Sequence, residues 1–316
     1  LALLGVVSAP VIHGSAVVRS SNWERTITVA VLQPNIPGEI KWDERYKSES
    51  FAALEELSLS AAIHRPDLIV WPETAAPSYL LRERVDLARV GATAQLAGAP
   101  ILTGCPDIVV GEDAGEELGR AQNSVLLVGT DGVPRAKYDK MKLVPFGEVI
   151  PFETIVPLLR QVDFGEADFW PGDDEVVFEI PEAKFSALVC YDTTFPRLVR
   201  RFVAGGAELL INVTNDVWYG RSAMPFQHAS MSVMRSIENR RSLARSANSG
   251  VSMMVDPHGR VLARTGIFER ALLVEELPVV TTETFYAKHG DVFPWAMVVF
   301  GGLMVAAGAH LRRRTQ

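Results

Sequence analysis

Lys184-Phe185-Ser186-Ala187-Leu188-Val189-Cys190, followed by Tyr191-Asp192-Thr193-Thr194-Phe195-Pro196, decides how the rest of the chain is read. Phe185–Cys190 is an apolar run of strand length, and the polar, Pro-terminated stretch behind it predicts a strand that stops at the thiol. Ligand crevices in α/β sheets open at the carboxyl ends of strands, so a cysteine there is placed to attack a substrate. The alternative is a buried structural cysteine, the commoner fate of a free thiol.

Outward from this strand, similar runs recur at Ile27–Gln33, Leu68–Trp71, Ile101–Gly104, Ser124–Val128, Glu208–Asn212 and Val251–Val255. Between them lie helical patterns. Phe51, Leu54, Leu57 and Ala61 fall at helical spacing, and Ala229, Val233, Ile237 and Ala244 roughly share a face. Asp131-Gly132 and Asp256-Pro257-His258-Gly259 read as hairpin connections. Alternation of strand and helix with added hairpins predicts an α/β domain, a mixed sheet covered by helices, over residues 24–283. The acidic stretch Gly111–Gly119 reads as a solvated loop.

With 316 residues the chain can bury a large core, and its 48% hydrophobic and 22% charged residues are those of a globular protein. A net charge of −7 argues against nucleic acid as a partner. Cys105 and Cys190 cannot form a disulfide framework, and neither sits in a metal-type C-x-x-C pair. Motifs for zinc proteases and for phosphate-cradling glycine loops are absent, and the reading calls for no cofactor and no metal.

The two ends differ from the middle. Residues 293–309 form 17 consecutive positions without a charge, with Trp295 near one end and Arg312, Arg313 and Arg314 beyond the other. That length crosses a hydrocarbon core of about 30 Å, so residues 292–311 are expected to be a transmembrane helix. The positive-inside rule puts the arginines in the cytoplasm and the residues before 290 outside. Residues 1–18 are apolar without a basic n-region, and read as the remnant of an earlier membrane helix.

Two further side chains bear on the chemistry. Glu73 follows an apolar strand and a rigid proline in Ile69-Val70-Trp71-Pro72-Glu73-Thr74. Low-dielectric surroundings there would make it a better base toward a thiol. Lys140 lies in Lys137-Tyr138-Asp139-Lys140-Met141-Lys142-Leu143-Val144-Pro145-Phe146-Gly147-Glu148, and a fixed ammonium can stabilise both a thiolate and an oxyanion. Position alone does not choose Lys140 among three lysines of this segment.

Trp71-Pro72-Glu73, then Tyr138-x-Lys140-x-x-Leu143-Val144-Pro145-Phe146-Gly147-Glu148, then Cys190-Tyr191 follow in this order, 67 residues separating Glu73 from Lys140 and 50 separating Lys140 from Cys190. This combination resembles the nitrilase, or carbon–nitrogen hydrolase, superfamily, and within it the apolipoprotein N-acyltransferases. Val31-Leu32-Gln33-Pro34-Asn35-Ile36, Thr214-Asn215-Asp216-Val217-Trp218-Tyr219-Gly220 and Glu238-Asn239-Arg240-Arg241 fit the same family, over residues 27–311. The resemblance implies a four-layer αββα nitrilase-like sandwich, flanked by a partial N-terminal and a complete C-terminal transmembrane helix in an N-terminally truncated chain. It implies Glu73 as general base, Lys140 as oxyanion stabiliser, Cys190 as nucleophile, and Glu148 as a second glutamate that positions the lysine or helps proton transfer. Tyr191, Trp218 and Asn215 are implied as cavity-lining, substrate-binding residues. The implied partners are a phospholipid acyl donor, a diacylglyceryl-lipoprotein acceptor and the lipid bilayer, at the bacterial inner membrane with the catalytic domain on the periplasmic side. Asp192 departs from the family pattern, which has Glu there, one methylene longer. A carbon–nitrogen hydrolase using water as acceptor is the competing reading, and a non-catalytic binding protein of the same fold is a third. The apolar Ala223-Met224-Pro225-Phe226, after Trp218-Tyr219-Gly220, is either an arm touching lipid or a surface loop.

Overall fold

A computed structural model describes residues 2–19, 23–109, 120–150 and 169–314, and the expected acidic loop Gly111–Gly119 lies outside them. Helix α1 (Ala2–Arg19) precedes the first strand, β1 (Thr26–Gln33). In β1 the alternation of side chains separates two cores: Ile27, Val29 and Val31 face one, Ala30 and Leu32 the other. After the single turn α2 (Gly38–Lys41) comes α3 (Glu44–Ala62), capped by the Asp43 carboxylate on Arg45 N–H, with Phe51, Leu54, Leu57 and Ala61 buried as their spacing required. Strand β2 (Leu68–Val70), helix α4 (Arg84–Ala97) and strands β3 (Ile101–Val109), β4 (Arg120–Val128) and β5 (Pro134–Asp139) follow. Gly98, with φ of 70°, ends α4 as a left-handed cap.

The second half begins with β6 (Phe178–Glu179) and β7 (Lys184–Val189), then α5 (Pro196–Ala204), β8 (Leu209–Thr214) and α6 (Met224–Asn239). Next come β9 (Ser242–Ala247), β10 (Met253–Val255), β11 (Val261–Arg264) and β12 (Ala271–Pro278). Helices α7 (Phe285–His289) and α8 (Val292–Arg314) close the described chain. The strands form two six-stranded mixed sheets, in the orders β12-β1-β2-β3-β4-β5 and β11-β10-β9-β8-β7-β6. Strands β1, β2 and β3 run parallel in one, and β7, β8 and β9 in the other. Their inner faces share a core in which Val29, Val31, Val125 and Leu127 meet Phe185, Ala187 and Ile211. Helices α3 and α4 bury Leu54, Ala61, Val90 and Ala94 against the other face of the first sheet, and Leu198, Val199 and Phe202 of α5 join the core of the second.

Both hairpins fall where the turn residues put them: Asp131-Gly132 joins β4 to β5, with φ of 76° at Gly132, and Asp256–Gly259 joins β10 to β11. One periodicity misleads. Ala244 does not continue the helix of Ala229; α6 stops at Asn239, Arg240 turns left-handed at φ 51°, and Ala244 lies in β9. Ser-Leu-Ala-Arg-Ser-Ala has little β propensity, and pairing between β8 and β10 overrides it. Cys190 itself is one residue past its strand, opening a 3-10 turn (Cys190–Thr194).

Phe185 is fully buried between the sheets and stacks on Phe178 at 5.2 Å between ring centroids. Phe185→Ala is therefore expected to cost about 3–5 kcal/mol, measured by chemical denaturation.

Candidate active site

The chemistry-bearing residues gather where the parallel strands end. Glu73 lies three residues past β2, Cys190 directly past β7, Asn215 directly past β8, and Lys140 directly past β5. Glu73, Lys140, Glu148, Asn215, Trp218 and Cys190 line one cavity of about 280 Å³. Tyr191 is not among the described residues that line it; its ring packs edge-on against Phe195 at 5.1 Å.

Lys140 is 1% exposed and held on both sides: its Nζ is 2.7 Å from Glu148 Oε1 and 3.4 Å from Glu73 Oε1. Burial opposes the ammonium, but Glu73, a Cys190 thiolate and Glu148 outweigh it, so its pKa lies above that of an ordinary lysine. The Asn123 amide donates to Glu73 Oε1 at 2.8 Å and Glu148 Oε1 at 3.3 Å, and Val144 N–H donates to Glu148 Oε2 at 2.8 Å. Lys41 donates to the Glu73 carbonyl at 3.2 Å and to the Thr74 hydroxyl.

The backbone carrying Glu73 is pressed against β3. Thr74 has φ of 45°, and Gly104 N–H donates to the Pro72 carbonyl at 3.2 Å. A Cβ on Gly104 would stand 2.6 Å from that carbonyl oxygen and 2.7 Å from Glu73 Cα, so only glycine admits this approach.

Cys190 has φ of 47°, a left-handed conformation costing about 1–3 kcal/mol in a non-glycine residue. Burial pushes its thiol up, and Glu73 adds to this while Lys140 and a Thr214 hydrogen bond oppose it. Deprotonation therefore has to be coupled to a base and a cation within the cavity. Asp192 clamps the turn from behind: it accepts from Tyr138 Oη at 2.9 Å, Lys142 N–H at 2.8 Å and Val189 N–H at 3.0 Å. The shorter carboxylate thus reaches three partners. Burial pushes its pKa up to about 6 against Lys140 and these donors.

A second cluster lies behind the cysteine. His228 Nε2 is 3.2 Å from the Cys190 carbonyl, and Nδ1 is 2.9 Å from Asp216 Oδ1. Asp216 Oδ2 accepts from Arg245 at 2.8 Å, and Thr214 donates to Asp216 Oδ1 at 2.9 Å. Ligand atoms of Cys190, Asp216 and His228 lie within 4.8 Å of one another. This is not a fitting metal site, since both ring nitrogens are engaged and the guanidinium repels a cation.

Sequence reasoning missed Asn123, Lys41, Thr74 and Tyr219 as members of the cavity wall, and His228 and Arg245 behind it. Asn123 gave no signal, being one polar residue in a strand. Asp216 stood inside a quoted motif, where it could have been weighed as a carboxylate.

This fold has known counterparts. The carbon-nitrogen hydrolase sequence profile matches residues 28–286, and the chain belongs to that family. Relatives named apolipoprotein N-acyltransferase include one from Geobacter metallireducens, 39% identical over 90% of this chain and 54% of its own length. Another, from Chlorobaculum tepidum, is 32% identical over 99% of this chain and 63% of its own, and one from Pseudomonas syringae pv. tomato is 33% identical over 89% and 54%. The chain thus spans between about half and two thirds of the length of these curated relatives. Among solved structures, an amidase from Nesterenkonia sp. superposes with a TM-score of 0.59 at 22% identity, covering 82% of this chain and 94% of that one, which supports the shared fold.

Two outcomes follow. Gly104→Ala is expected to displace Glu73 and slow alkylation of Cys190 by iodoacetamide about 100-fold, read by peptide mass spectrometry. Asp216 is fully buried; burial would raise its pKa, but Arg245 and His228 prevail and hold it down at about 2. Its carboxylate therefore stabilises the fold above the unfolded value of 3.8, and this contribution is lost as pH falls toward 2. The stability gap between the wild type and Asp216→Asn is expected to narrow by about 2 kcal/mol over that window, measured by denaturation at stepped pH.

Proposed function

We propose that this chain is the catalytic part of an apolipoprotein N-acyltransferase, moving a fatty acyl group from a phospholipid to the α-amine of a lipoprotein's diacylglyceryl-cysteine. The observation that carries this reading is the meeting of Cys190, Lys140, Glu73 and Glu148 in one cavity, within a chain that continues into an exposed apolar helix. The names of the relatives support it.

In the first half-reaction Glu73 takes the Cys190 proton and the thiolate attacks the ester carbonyl of the phospholipid. Lys140 stabilises the oxyanion that forms, Glu148 and Asn123 fixing the ammonium in place. Collapse breaks the C–O bond, the lysophospholipid leaves with the proton from Glu73, and a thioester remains on Cys190. In the second, the lipoprotein amine attacks the thioester, its proton passes to Glu73, and the thiol is restored as the amide forms. Trp218 and Asn215 are assigned to binding, Trp218 at the mouth, where it is 57% exposed, and Asn215 inside, accepting from Asn248 at 2.9 Å. Tyr191 is kept as a support of the turn rather than a contact. No cofactor enters these steps.

We read the layers as αββα and residues 24–283 as the catalytic domain. Val292–His310 has a mean hydropathy of 1.9 and no buried share, which supports a transmembrane segment there within 292–311. With Arg312 and Arg313 cytoplasmic, the domain stands on the periplasmic side of the bacterial inner membrane. A cleft of about 1110 Å³ where α8 leaves the domain joins Lys142, Arg197 and Arg200 to Trp295, Val299 and Phe300, a surface suited to a lipid headgroup and its chains. Met224 and Phe226 are exposed in the first turn of α6, so the stretch read as an arm or a surface loop begins a helix.

The test is the mass of the protein after incubation in phospholipid nanodiscs. One acyl chain on Cys190 is expected, discharged by a diacylglyceryl-cysteine peptide and absent from Cys190→Ala. Lys140→Gln is expected to slow acylation about 10²–10³-fold. An unmodified thiol together with hydrolysis of simple amides would assign the chain to the water-using hydrolases instead.

A further inference from the structure

Cys190 adopts a left-handed backbone at φ 47°, and something must hold it there. Its carbonyl is met by His228 Nε2 at 3.2 Å from the buried face of α6. A carbonyl only accepts, so Nε2 carries the hydrogen. The other ring nitrogen faces Asp216 Oδ1 at 2.9 Å and Arg245 Nη2 at 3.1 Å, which fixes the ring plane. Arg245 is in turn tied to Asn212 and to the Val251 carbonyl at 3.2 Å. Gly250 seals the arrangement, since a Cβ there would stand 2.7 Å from Asp216 Cβ.

We propose that His228 is a positioning residue: braced by Asp216 and Arg245, it pins the Cys190 carbonyl so that the strained turn keeps its thiol in the cavity. The inference rests on the reading of Cys190 as nucleophile. A cysteine, a histidine and an aspartate this close invite the reading of His228 as the base. The geometry opposes it, because the nitrogen nearest Cys190 spends its hydrogen on the backbone and has no lone pair to offer the thiol. Glu73 lines the cavity and is free of that obligation.

Glutamine separates the two roles: its amide N–H can donate to the same carbonyl, yet it cannot take up a thiol proton. The readouts are the alkylation rate of Cys190 with iodoacetamide, followed by peptide mass spectrometry, and the kcat and KM of acylation in nanodiscs. His228→Ala is expected to slow alkylation and kcat about 100-fold with KM changed less than about threefold, and His228→Gln to recover to within about tenfold of wild type. A glutamine variant as slow as the alanine variant, with an unchanged circular dichroism spectrum, overturns the proposal in favour of a base. Wild-type rates in both overturn it in favour of passive packing. Should the alanine variant fail to fold, the glutamine variant decides alone: recovery to within tenfold supports positioning, and a 100-fold loss overturns it. Alkylation needs no phospholipid, so a wild type that never forms an acyl adduct sinks the acyl-transfer reading while this contrast still stands or falls by itself.

Discussion

The organising constraint is a single buried ammonium. Lys140 has almost no contact with water, and an isolated cation there would be prohibitively costly, so carboxyl groups have to be brought to it. One arrives from the loop after β2 and one from the segment after β5, with Asn123 bridging both. The first sheet is thereby locked around the same point that the second sheet supplies with a thiol. The layout proposed for catalysis and the compensation of the buried charge are the same set of contacts.

Much of the fold could be read from uninterrupted apolar runs, because β1, β2 and β4 bury both faces, one in the inter-sheet core and the other beneath α3 and α4. Glu73, Lys140, Glu148 and Cys190 could be grouped only through the resemblance their ordered motifs carry, each alone being ordinary, and one cavity is lined by all four. What stayed hidden is what depends on distance in sequence. Asn123 becomes meaningful only when β4 lies beside β3 and β5, and Arg245 only when β9 slots beside β8. The periodicity that puts Ala244 on a helix face fails for the same reason: the strand character of Ser242–Ala247 comes from its neighbours.

The cysteine illustrates a division of labour between the halves of the molecule. Its acid–base surroundings come from Glu73 and Lys140 of the first half, whereas its backbone is held by Asp192, His228 and the strands of the second. Asp192 shows how a shortened carboxylate can still serve: it turns inward to two backbone N–H groups and the Tyr138 hydroxyl. It belongs to the scaffold of the turn.

The pairing of β1 with β12 has an architectural consequence. Thr26 lies opposite Pro278, and Val279 N–H donates to the Arg25 carbonyl at 2.9 Å, so the polypeptide enters and leaves this sheet at adjacent points on one border. A module whose doorway and exit coincide can be spliced between two successive segments of a host without prising them apart.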